Sequence, residues 1–288
     1  MDGFNGHRHG VVAHRADEVE RLPTVPINHP RPAALHASTI GRRRWATHWE
    51  NDLETKDITI RCDMTVELVD SMGNDDSIIK AMLVSTQGAE ALEATASEGR
   101  INFLMRNRHG TPFEHASMTF FIEAPIFVFR EFHRHRVGWS YNEVSGRYRQ
   151  LDPTFYVPAM DRPLVQEGKP GAYEFVPGTE AQHHLAYSAM CSSYREAYWR
   201  YEYMLENGIA KEVARTVLPV GTYTAMFATC NPRSLMHFLG LRTKHEFAKF
   251  PSYPQYEIEM VARGMEEHFA RLFPQTYRSF CLLGRVAP

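Results

Sequence analysis

From Ile58 onward, apolar residues recur with one of two periods, while the first 57 residues show no sustained periodicity. Ile58 and Ile60, then Val66 and Leu68, alternate with polar neighbours, the spacing of a half-buried strand or hairpin. Gly73-Asn74-Asp75-Asp76 ends that run and supplies caps for a helix through Ile78, Ile79 and Met82. A second helix is predicted from Leu92 to about Asn107, before Gly110-Thr111-Pro112 breaks the pattern. Met118, Phe120 and Ile122 then alternate with Thr119, Phe121 and Glu123, a strand that Ala124-Pro125 stops. Pro125, with its fixed φ, is placed to start a helix through Phe127, Phe129 and Phe132. If that helix runs on, Arg130 and Arg134 share one face, as do Glu131 and His135.

The second half is more helical. Thr179 and Gln182 have the spacing of a capping box, opening a long helix with Leu185, Met190, Tyr194, Tyr198, Tyr201 and Leu205, closed at Gly208. Its aromatic stripe reads as core packing. A short helix carries Arg215 ahead of Leu218-Pro219, and Asn231-Pro232 pairs an N-cap with a first-turn proline for a helix ending near Arg242. Ile258, Val261, Met265, Phe269 and Leu272 mark the last clear helix, stopped before Pro274. Without an internal repeat, this order predicts one α+β domain over 58–288. Residues 1–57, rich in His, Arg and Pro and including Arg42-Arg43-Arg44-Trp45, read as an N-terminal arm, flexible or partly docked.

Composition narrows the function classes. Thirty-two basic against thirty-four acidic residues leave a formal charge of −2, so any basic site is local and wholesale binding to a nucleic-acid backbone is not expected. Four scattered cysteines without a Cys-x-x-Cys pair fit a reducing compartment and argue against a disulfide framework or thiolate zinc site. No apolar run has membrane-spanning length and the N-terminus lacks a signal-peptide core, which predicts a cytoplasmic protein.

One stretch concentrates the chemistry. Between Arg130 and Arg149 stand five arginines, two glutamates, the pair His133 and His135, and Ser145-Gly146. Guanidinium forks bind phosphate through paired charge-assisted hydrogen bonds, and they stack on flat rings as aromatic side chains do. A phosphorylated ligand with a planar ring fits that combination. Neither G-x-G-x-x-G after a strand nor G-x-x-x-x-G-K-[ST] occurs, so side chains rather than a glycine-rich loop would hold a nucleotide. Arg215, Arg233 and Arg242, near predicted helix ends, extend the set.

Arg134-His135-Arg136 followed by Asn142-Glu143-Val144-Ser145-Gly146-Arg147-Tyr148 resembles the signature of the flavin-dependent thymidylate synthases. Val66 to Asp75, Thr111-Pro-Phe-Glu-His115, Ala124-Pro-Ile-Phe-Val128, Glu212 to Pro219 and Asn231 to Arg242 resemble further family segments in matching order. The likeness runs from about Val66 to the C-terminus and leaves the arm out.

The resemblance implies a fold with a central, mostly antiparallel sheet flanked by helices, and roles position by position. Thr111, Arg134, His135, Arg136 and Glu143 would hold FAD, with Asn231, Arg233 and His237 contributed by a neighbouring subunit of a homotetramer. Glu131, Phe132, His133 and Arg134, then Glu143, Val144, Ser145, Gly146 and Arg147, with Arg215 and Arg242, would line the dUMP site. Arg242 would polarise the uracil and favour N3 ionisation, a preorganised electrostatic role. The implied reaction is reductive methylation of dUMP to dTMP. Methylenetetrahydrofolate supplies the carbon, reduced FAD the hydride, and NADPH restores the flavin. No metal, nucleic acid or membrane is implied as a partner. The Pro-Cys nucleophile of the classical thymidylate synthases is missing, and Cys230 reads as structural.

Three departures stand out. Eight residues, Val137 to Val144, separate Arg136 from Ser145, one more than usual, with the surplus around Gly138-Trp139-Ser140. Lys244 to Pro254 is longer than usual, and His237 stands where asparagine is frequent. The altered loop keeps open a flavin-dependent methylase or hydroxymethylase acting on dUMP or dCMP, which product masses would separate. Fifteen histidines, His109, His115, His183 and His184 among them, raise a metal-dependent hydrolase, and the basic stretch raises a nucleic-acid-binding module. A flavin spectrum in the purified protein excludes both.

Overall fold

The computed structural model describes residues 58–169 and 172–288. The N-terminal arm predicted over 1–57 lies outside them. The strands are β1 (Thr59–Arg61), β2 (Thr65–Met72), β3 (Ser117–Pro125), β4 (Trp139–Glu143), β5 (Thr154–Tyr156), β6 (Val165–Lys169), β7 (Ala172–Val176) and β8 (Tyr223–Cys230). The helices are α1 (Asp75–Gln87), α2 (Glu98–Arg106), α3 (Ile126–Phe132), α4 (Glu180–Glu206), α5 (Lys211–Ala214), α6 (Pro232–Arg242), α7 (Tyr256–Leu272) and α8 (Pro274–Leu282).

The alternation expected around Phe120 forms the middle of the main sheet. Met118, Phe120, Ile122 and Ala124 of β3 are fully buried on one face, and Thr119, Phe121 and Glu123 lie half-buried on the other. Burying each large apolar side chain contributes roughly 1.5–3 kcal/mol. The sheet runs β2-β3-β8-β4 with every pair antiparallel. Helices α3, α6 and α7 pack beside it, and Phe132 of α3 stacks on Phe238 of α6 at 4.8 Å. Helix α7 approaches β2 closely because it presents Gly264. A Cβ there would lie 3.0 Å from the Val66 Cβ.

A second apolar cluster joins α4 to β5. Phe155 stacks on Tyr194 at 4.8 Å, and the Tyr194 hydroxyl donates to the Tyr156 carbonyl at 2.9 Å. The aromatic stripe of α4 is core, as its spacing predicts, although Leu185 is 70% exposed. Both arms of the Thr179/Gln182 capping box are present.

Several expectations are corrected. Ile58, Ile60, Val66 and Leu68 do not form a hairpin: β1 pairs parallel with β5 while β2 joins the main sheet. The helix predicted over Leu92–Asn107 is shorter, because Gly88–Glu93 is a 3-10 turn and α2 begins only at Glu98. Helix α3 stops at Phe132, so Arg134 and His135 lie beyond it and share no helical face with Arg130 and Glu131. Helix α8 follows Pro274 directly, the proline occupying its first turn. Strands β4 and β8 escape the apolar count because their alternating positions include Ser, Asn, Thr, Ala and Cys.

Candidate active site

The Arg-His-Arg segment is a turn held from three sides. Its helix ends where the apolar positions Val128, Phe129 and Phe132 end. The Tyr141 hydroxyl on β4 reaches back to the carbonyls of Phe132 and His135, at 3.1 and 2.9 Å. It thereby ties the strand to the turn, whose Phe132 carbonyl also accepts from the His135 amide at 2.8 Å. Gly138 turns the chain into β4 at φ +69°, and the Ser234 hydroxyl on α6 donates to the Val137 carbonyl at 2.9 Å. Trp139 and Ser140 are already paired to β8, so the looser residues of the long spacer are Val137 and Gly138.

Between this turn and the N-terminus of α6 lies a cavity of about 430 Å³, within the size range of small-molecule sites. His135, Arg136, Asn231, Arg233 and His237, all expected to hold FAD, line it, together with Glu114, Trp139 and Ser234, so that the last three of the expected set, assigned to a neighbouring subunit, lie beside the first two within one chain. Asn231 caps α6 by accepting from the Ser234 amide at 2.8 Å. Arg233 is fixed by Glu114 at 2.6 Å and by the Pro288 carbonyl at 2.8 Å. Burial pulls the His237 ring below its usual range, aided by Arg233 and Arg108. Thr111 is exposed and does not line the cavity. It follows Gly110, whose missing Cβ leaves room for the Arg233 guanidinium.

At the other end of α6, Arg242 pairs with Glu131 at 2.6 Å. Its Nε donates to His135 Nε2 at 3.0 Å. That hydrogen bond requires a neutral ring. Burial, Arg242 and His237 together lower His135 to about 4, so the ring is neutral at physiological pH. Arg242 thus forms one polar cluster with Glu131 and His135, which lie more than a hundred residues earlier in the chain.

A second group forms around the Ser-Gly turn. Arg147 pairs with Glu212 at 3.2 Å, and the buried Gly146 leaves room for Arg215, to whose Cδ a Cβ would come within 3.2 Å. Ser145 accepts from the Arg147 amide at 3.3 Å. No hydrogen bond among the described residues joins this group to Arg242. Burial raises the Glu143 carboxyl, while His133, the Thr224 hydroxyl and the charge of Arg215 oppose the shift. Phe132 is buried beneath the turn, Val144 is half-buried, and Arg134 is exposed. Burial drives the Cys230 thiol far above its usual range, in keeping with a structural role. Glu114, Ser234, Tyr141 and Glu212 were not singled out from sequence. Glu114, Glu212 and Ser234 nevertheless lay inside segments that resemble the family, Thr111 to His115, Glu212 to Pro219 and Asn231 to Arg242.

An antiparallel sheet whose edge strand leads out of an arginine-histidine turn, facing a capped helix that carries two more arginines, gathers guanidinium groups of the kind that grip phosphate through side chains. The family model described as thymidylate synthase complementing protein matches residues 67–275. The flavin-dependent thymidylate synthase of Streptomyces coelicolor is 61% identical over 236 residues, covering 80% of this chain and 96% of that one. That of Thermotoga neapolitana is 40% identical over 217 residues, covering 75% and 89%. Among solved structures, a UMP/dUMP methylase, PolB from Streptomyces cacaoi, bound with 5-Br dUMP, superposes with a TM-score of 0.76 at 49% identity, covering 80% of this chain and 100% of that one. The same enzyme bound with 5-Br UMP gives 0.75 at 50% identity, covering 80% and 99%. This chain belongs to the flavin-dependent thymidylate synthase family, which sets aside the hydrolase raised by its histidines.

Proposed function

We propose that this protein converts dUMP to dTMP, using FAD, NADPH and 5,10-methylenetetrahydrofolate. The observation that carries the reading is the junction at the Arg-His-Arg turn. Five of the residues expected to hold flavin line one cavity there, and His135 is bonded directly to Arg242, the residue expected at the pyrimidine. The donor set fits a dinucleotide: two guanidinium groups, an asparagine amide and a neutral imidazole edge, with no glycine-rich loop required. When bound, the flavin supplies the reducing equivalents.

The chain's own residues then orient and polarise. Arg242 places a fixed positive charge where negative charge grows on the uracil. Glu131 and His135 hold that guanidinium beforehand, so little reorganisation is needed when nucleotide arrives. The Ser145–Arg147 turn and Arg215 offer a phosphate-binding edge, with Glu212 holding Arg147 meanwhile. The family resemblance supports a homotetramer in which a neighbouring subunit contributes Asn231, Arg233 and His237 to the flavin site.

The test is a visible spectrum of the purified protein with FAD, followed by NADPH and then dUMP and folate, with products identified by mass. A flavin spectrum bleached by NADPH and a dTMP product are expected. A protein that binds no FAD overturns the reading. A second reading, a ribonucleotide-tolerant methylase, is favoured by the likeness to the UMP/dUMP methylase. Including UMP and dCMP in the assay separates it, since methylated UMP appears only if the 2′-hydroxyl is tolerated.

A further inference from the structure

Arg285 lies beyond the family-matched residues 67–275, yet it is among the most constrained side chains in the fold. Its side chain is 1% exposed, and its backbone sits at φ +58°. Such a conformation is uncommon outside glycine and costs on the order of 1–3 kcal/mol unless the surroundings impose it. The preceding Gly284, at φ +77°, is a usual way to end a helix such as α8, but a second left-handed residue is not needed for that. In addition, the Arg285 Nε is buried without a hydrogen-bond partner. Strain and an unpartnered donor on one residue point to a constraint satisfied elsewhere.

That constraint leads to α6. Arg285 pairs through Nη1 with Glu266 of α7 at 2.5 Å, and through Nη2 it donates to the Thr243 hydroxyl at 2.8 Å. Thr243, 1% exposed, is the residue after Arg242 and the C-cap of α6. Its hydroxyl donates onward to the Leu239 carbonyl at 2.6 Å, and its own carbonyl accepts from the Ser252 hydroxyl at 2.6 Å. The chain therefore leaves the helix abruptly, with Arg242 on its last turn. The same tail touches α6 twice more. Gly240 is packed so closely that a Cβ would lie 3.0 Å from the Arg285 carbonyl, and Arg233 at the other end donates to the Pro288 carbonyl.

We infer that Arg285 is a positioning residue. Through Thr243 it sets the register and direction of the last turn of α6, and so the placement of the Arg242 guanidinium against the pyrimidine nucleotide. The inference rests on the reading of Arg242 as a nucleotide-site residue. Its chemistry needs arginine: a fork can hold a carboxylate and a hydroxyl at once, which a single ammonium cannot do in the same geometry.

The test compares Arg285→Ala, Arg285→Lys and Thr243→Val in the full-length, FAD-loaded enzyme. Arg162→Ala serves as control, because Arg162 forms an ion pair with a buried glutamate, Glu257, on the same α7 and makes no hydrogen bond to α6 among the described residues. The readouts are flavin content per chain, thermal midpoint, and dUMP affinity from the change in flavin absorbance. Arg285→Ala and Thr243→Val are expected to weaken dUMP at least tenfold with flavin content within twofold of wild type. Arg285→Lys is expected to restore thermal stability relative to Arg285→Ala without restoring dUMP affinity. Should Arg285→Ala fail to fold, Thr243→Val decides alone. Wild-type dUMP affinity in Thr243→Val, or an equal loss in Arg162→Ala, overturns the inference. If Arg242→Ala itself binds dUMP normally, the underlying reading of Arg242 has failed instead.

Discussion

At the scale of single residues, His135 is the hinge of the site, because one ring belongs both to the cavity lining and to the Arg242 cluster. Its proton affinity carries a test. A histidine held to about 4 in the folded chain binds fewer protons than its unfolded counterpart, which titrates near 6.5. Stability on its account is complete above about 6.5 and declines as pH falls toward about 4, with no further loss below that. His237 contributes in the same direction. Urea midpoints taken from neutral pH down to pH 4 should therefore fall in the wild type and fall less in His135→Gln, whose amide oxygen can still accept from Arg242. Equal slopes in the two proteins would show that the ring is not held neutral.

At the scale of elements, the site depends on how the turn before β4 meets the start of α6. Gly138 makes that meeting possible twice over. It adopts a left-handed backbone, which costs other residues about 1–2 kcal/mol, and a Cβ would fall 2.1 Å from the Ser234 Oγ and 2.8 Å from the Asn231 Nδ2. Gly138→Ala should push the turn off α6 and narrow the cavity while leaving the sheet intact. We expect an unchanged far-ultraviolet circular dichroism spectrum and at least tenfold weaker FAD retention on gel filtration. Full retention of FAD would mean that the turn has slack the geometry does not show. The spacer that departs from the family pattern is thus seated by two direct contacts, Ser234 to Val137 and Tyr141 to His135.

At the scale of the whole molecule, the main sheet has one covered face and one open face. Across β3 and β8 the open face carries Phe121 against Phe227 at 5.8 Å, edge to face, and the hydroxyls of Thr119 and Thr229 at 2.9 Å. Phe227 is 46% exposed and Val69 on β2 is 52% exposed. Apolar exposure of this kind, at Phe227 on the inner strand β8 and at Val69 on the edge strand β2, fits a surface covered by another copy. Phe227→Asp should lower the mass measured by light scattering below that of the proposed tetramer. On that proposal, in which subunits complete the site between them, dTMP formation should fall with it. An unchanged mass would place the interface elsewhere. None of the described helices is long and apolar enough to cross a membrane.

Local rules sufficed for much of this chain. Asn74, Thr179 and Asn231 cap the helices they were expected to cap, since a cap is decided by the few residues around it. The alternation of β3 and the stripe of α7 were equally readable, because burial on one face leaves its period in the sequence. The signature residues were legible as chemistry through the family resemblance, but their arrangement was not. Periodicity carried α3 to Phe132 and left its continuation open, whereas a tyrosine on a later strand and a serine on a distant helix hold Arg134 to Arg136 as a turn. The partners Glu114, Glu212 and Thr243 carry no local mark, for an ion pair or a hydrogen bond between remote segments exists only once the fold has brought them together. Sequence alone determined the family and, through the resemblance, the set of side chains proposed to handle a flavin and a pyrimidine nucleotide. Tertiary structure decided that Arg242 meets Glu131 and His135, and that a strained arginine near the C-terminus stands behind it.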